Sequence, residues 1–62
     1  MTPLDNLLKY RNTMVKHRRH LALLGAEDDG LVHAAHILKV QEEIEAIDRA
    51  IIDERRIASD AA

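Results

Sequence analysis

A chain of 62 residues without a single cysteine cannot use disulfides or the common Cys-based zinc sites. A chain this short buries little surface alone, which leaves oligomerisation or an all-histidine and carboxylate metal site as support. Tyr10 is its only aromatic residue, so nucleic-acid recognition by stacking bases on aromatic side chains is excluded.

The opening "MTPLDNLLKY" has no basic region ahead of an apolar core, so no signal peptide is expected. No apolar run approaches the roughly 20 residues of a membrane span. Together with the absent cysteines this points to a cytoplasmic chain with no membrane partner. Thr2 suits an N-cap, Pro3 the first helical position and Asp5 the third, which predicts a helix over about 3–24. Leu7, Tyr10, Met14, His17, Leu21 and Leu24 recur at helical spacing as its seam, with Leu8, Val15 and Ala22 as a second row.

"GAEDDG" then punctuates the chain, a loop over about 25–30. Gly25 suits a helix C-terminus that needs positive φ, and Asp28 or Asp29 suits the next N-cap. The second helix is expected over about 31–57, with residues 58–62 as a frayed tail. Its seam is the cleanest pattern in the chain: Ile37, Val40, Ile44, Ile47 and Ile51 are spaced 3, 4, 3, 4. Leu31, Leu38 and Ile52 form a second row. One continuous helix through residues 25–30 is the structural rival. Two glycines at about 1 kcal/mol each, and three adjacent acids, weigh against it.

Each apolar arc is wider than one antiparallel neighbour covers. The expected fold is therefore all-α: an antiparallel two-helix hairpin that dimerises into a four-helix bundle. Its core would be Leu7, Met14, Leu21, Ile37, Val40, Ile44, Ile47 and Ile51.

Charge divides unevenly between the halves. Residues 1–26 hold five basic residues against Asp5, a net +4; residues 27–62 hold four basic and ten acidic residues, a net −6. Pairing a basic helix with an acidic one selects orientation and partner more than it adds stability. Arg11 and Arg18 fall inside the apolar arc, where the methylenes can lie on neighbours while the head finds a carboxylate. If Leu24 faces Leu31 across the turn, Arg11 lies near Ile44, within reach of Glu43, Glu45 or Asp48. Lys9, Lys16, Arg19 and His20 point outward. The architecture resembles that of the plasmid RNA-modulator hairpins, which dimerise into four-helix bundles and bind RNA from one helix face; no sequence motif is shared. The resemblance implies that these four outward residues could meet phosphates.

Four histidines form two His-x-x-His pairs, His17/His20 and His33/His36. In a hairpin both pairs sit near the loop end on facing helices, the geometry a four-nitrogen zinc, copper or nickel site would need. The simpler expectation is no metal and no cofactor, with His17 and His33 as packed polar residues of the seams.

No nucleophile elbow, phosphate-binding glycine loop or His-Glu-x-x-His motif is present, so an enzyme is not expected. "EEIEAIDRAIIDERRIA", residues 42–58, resembles the first-helix pattern of chorismate mutases in its Ile-x-x-Ile-Asp and later arginine. It stands at the C-terminal end, where the further helices of that fold have no place, and is read as an amphipathic helix. The expected function is non-catalytic: a homodimeric adaptor or regulator acting through helix–helix contact, with RNA binding through helix 1 as the alternative and histidine-based metal binding third.

Overall fold

The computed structural model describes residues 1–25 and 31–61. Helix α1 runs Pro3–Gly25 and helix α2 runs Leu31–Ala61, and the two pack antiparallel as a hairpin with no strand among the described residues. The start of α1 is built as its sequence requires. The Asp5 amide donates to Thr2 Oγ1 at 3.1 Å, and the Thr2 amide donates to Asp5 Oδ2 at 3.3 Å. These reciprocal bonds satisfy amides that no helical carbonyl can reach, and Pro3 follows where its missing N–H costs nothing.

At the other end the expectation of a frayed tail is corrected, because α2 continues through Ala61. Residues 53–61 contain neither glycine nor proline, and Ala58 and Ala61 are strong helix formers, so nothing stops propagation. The expected turn features at Asp28 and Asp29 lie outside the described residues, as does the Leu31 side chain that Leu24 was expected to face.

Two side-chain contacts set the register. Arg11 Nε donates to Asp48 Oδ1 at 2.5 Å, and Arg18 donates to Gln41 Oε1 at 2.7 Å. In both pairs the residue numbers add to 59, so residues summing to about that value stand level on the two helices. The core follows this register. Leu21, Val40 and Ile44 form the buried cluster, with Met14, Val15 and Ile37 packed against it, and Ile51 is buried toward the chain termini. Ile44, 2% exposed, is its centre.

The helix 2 seam is as expected, but helix 1 presents a different edge. Tyr10 is 64% exposed and His17 is exposed, while Leu4 and Arg18 are partly buried and Arg11 reaches across to Asp48. The working seam is Leu4, Leu7, Arg11, Met14, Arg18 and Leu21, again spaced 3, 4, 3, 4, 3. Leu7, Met14 and Leu21 belong to both candidate seams. The polar partners Asp48 and Gln41 turn the helix so that the arginines, not Tyr10 and His17, cross to α2.

Two helices do not close a core. The hairpin has a radius of gyration of 14.7 Å, against about 10.6 Å for a compact chain of this length. It exposes 4864 Å², against about 4,000 Å² for a compact 7.0 kDa monomer. The excess is about 800 Å².

Candidate functional site

Of the eight expected core residues, Leu21, Val40, Ile44 and Ile51 are buried, while Leu7, Met14, Ile37 and Ile47 are partly buried. The partial burial has a geometric cause: each lies beside the contact line between the helices and keeps a flank toward solvent. The hairpin therefore has two lateral faces. Residues can be assigned to them at about 100° per residue around each helix.

One face holds an open groove of about 350 Å³ lined by Met14, His17, His36, Lys39, Val40 and Glu43. His17 and His36, one member of each histidine pair, both line it. His20 is exposed elsewhere on α1, and His33 is partly buried. Among the described residues no group of three or more His, Cys, Asp or Glu side chains is placed to hold a metal ion. Lys39, on the groove wall between His36 and Glu43, also opposes a bound cation. His17, expected as a packed seam residue, is instead a groove-wall residue open to water.

The opposite face carries the two register contacts. The pKa of Arg11 is raised above its already high ordinary value, first by the hydrogen bond to Asp48 and then by the charge attraction between them. Both partners remain more than 40% exposed. The partner of Arg18 departs from expectation: it is the neutral amide of Gln41 and not a carboxylate. Gln41 gave no sequence signal, because its role depends on a residue 23 positions away. Outside these pairs and Glu45 the face is mainly apolar. Leu8, Leu38 and Ile52 are 40%, 62% and 58% exposed, and Ala22 and Ala34 are also exposed. Exposed leucines and isoleucines repeated along one face are less ordinary than scattered ones.

Lys9, Lys16, Arg19 and His20 are all exposed, on the back of α1 away from α2. They follow one another along roughly 100° of arc, so the outward stripe expected from sequence exists in one chain. Leu23, 71% exposed, shares that arc.

No helix among the described residues is long and apolar enough to cross a membrane. Comparison with protein-family models finds no match, and comparisons with curated proteins and with solved structures find none either.

Proposed function

We propose that this chain is a non-catalytic helical module that works by helix–helix association, as a homodimeric four-helix bundle serving an adaptor or regulatory role. One observation carries the reading: the hairpin leaves about 800 Å² more surface exposed than a compact chain of its mass, with Leu8, Leu38 and Ile52 on one side of it. That excess equals what each partner contributes to a standard protein interface, about 800 Å². The core supports the same conclusion. Among the described residues four apolar side chains are buried, few for offsetting the ordering of two helices, and a second hairpin would add to them.

The test is the concentration dependence of thermal melting. If folding is coupled to association, the midpoint rises with protein concentration by mass action. A midpoint that stays fixed as concentration is varied a hundredfold would contradict the reading.

A second reading rests on the exposed stripe of Lys9, Lys16, Arg19 and His20. Cations along one helix face can follow a phosphate backbone without aromatic stacking. Against it stand the net charge of −2 and the ten acids of residues 27–62. If the stripe binds structured RNA, the wild type retards it at low salt and Lys16→Glu with Arg19→Glu abolishes the effect. No retardation by the wild type removes this reading.

A further inference from the structure

On the dimer reading just given, we propose that the second copy seats on the face carrying Leu8 and Ile52, not on the groove face, and that the two hairpins lie with their inter-helix ends together. In this arrangement α1 of one chain packs antiparallel against α2 of its partner, and the two α1 helices are diagonal.

The choice of face follows from what covering each one would strand. On the groove face a partner would press on His17, His36, Lys39 and Glu43, none of which has a hydrogen bond to another described side chain. Burying such groups without partners is costly. On the Leu8 face the polar groups nearest the seam are already paired within the chain, Arg11 with Asp48 and Arg18 with Gln41. The rest is Leu8, Val15, Ala22, Ala34, Leu38 and Ile52, with Glu45 on the row between Leu38 and Ile52. The paired length of α1, 23 residues at about 1.5 Å each, spans about 35 Å. Two helices side by side are about 20 Å wide, so one face offers about 700 Å², near the size of a standard contact.

Register and charge decide the orientation. Leu8 stands level with Ile52, Val15 with Glu45, and Ala22 with Leu38, three rungs seven residues apart. Two dyads can stack this face on a copy of itself. With the inter-helix ends together each rung meets its own kind, so Leu8 meets the partner's Ile52 and Ala22 meets the partner's Leu38. Val15 then meets the partner's Glu45, with Arg19 one turn along α1 to receive that carboxylate. With the ends opposed, α1 lies on α1 and α2 on α2. That brings the +4 half against the +4 half and the −6 half against the −6 half, and near the dyad sets Glu45 against the partner's Glu45. Like charges placed together disfavour a wrong arrangement by repulsion. The ends-together dimer also holds the two basic stripes at opposite corners, where they do not merge into one surface.

The chain has no cysteine, so engineered thiols report without background. Single variants Leu8→Cys, Ile52→Cys, Ala22→Cys and Tyr10→Cys are mixed in pairs, allowed to exchange, and oxidised mildly. A disulfide requires Cα atoms within about 7 Å, so formation maps adjacency. The expected result is a covalent dimer from Leu8→Cys mixed with Ile52→Cys. A dimer linking Leu8→Cys to Ala22→Cys would overturn the orientation, and one from Tyr10→Cys alone would overturn the face. A sedimenting dimer that forms none of these links would overturn the face as well. Each of these leaves the dimer reading standing. A monomer by sedimentation would instead remove that reading itself, so the two failures are distinguishable.

Discussion

Replacing Ile44 by alanine measures how much of the fold rests on its centre. Ile44 is 2% exposed and packs in one cluster with Leu21 and Val40. Removing three carbons from such a site costs about 2–5 kcal/mol, part lost transfer energy and part residual cavity. With only two layers of helix around the site, neighbours can partly collapse into the space, which favours the lower half of that range. Alanine also returns a few tenths of a kcal/mol in helix propensity. The net expectation is a loss of about 2.5 kcal/mol. At about 0.05–0.15 kcal/mol per residue, a chain of 62 residues has about 3–9 kcal/mol in all, so this is a large share. Urea unfolding followed by helical ellipticity, at one fixed protein concentration, gives the value. Leu23→Ala, at a site 71% exposed on the back of α1, is the control and should stay within about 0.5 kcal/mol of wild type. If Ile44→Ala loses no more than Leu23→Ala, the core is not where it is described.

Ile52→Asp should raise the dimer dissociation constant about a hundredfold, since two copies per dimer each lose about 1–1.5 kcal/mol of burial, so that dissociation and the accompanying loss of helicity move to higher concentration; a dilution series by fluorescence anisotropy of a labelled chain shows it. Thr2→Ala removes one half of the reciprocal cap and should cost about 1 kcal/mol, read as faster amide exchange in the first turn of α1. A double-mutant cycle on Arg11→Ala and Asp48→Ala should show favourable coupling that weakens at about 1 M salt, and strict additivity at low salt would remove the pair from the account. Neither zinc nor a chelator should move the melting midpoint, because no group of three or more His, Cys, Asp or Glu side chains among the described residues is placed to hold a metal ion; a zinc-dependent rise would reveal a site.

How far the fold was legible differs between the two helices. Ile37, Val40, Ile44, Ile47 and Ile51 repeat so regularly that only one face of α2 can turn inward, and it does. Helix α1 is ambiguous, because Leu7, Met14 and Leu21 fit two seams. Apolarity favours the edge through Tyr10 and His17, but the chain uses the edge through Arg11 and Arg18. The deciding contacts join residues 37 and 23 positions apart, and no local pattern reports such distances. The same limit hid Gln41. The N-terminus was legible because the Thr2 and Asp5 cap is local. The C-terminus was misjudged because small and polar residues in "ASDAA" suggest an end, while their propensity permits helix through Ala61. As for the site, the histidine pairs were visible as a pattern, yet the hairpin register brings only one member of each pair to the groove.

The account stands on association, and sedimentation equilibrium of the full chain at micromolar concentration tests it most directly. The predicted result is a single folded species of about 14 kDa, twice the 7.0 kDa chain, that dissociates and loses helicity together on dilution. A stably folded species of 7.0 kDa under the same conditions would contradict it.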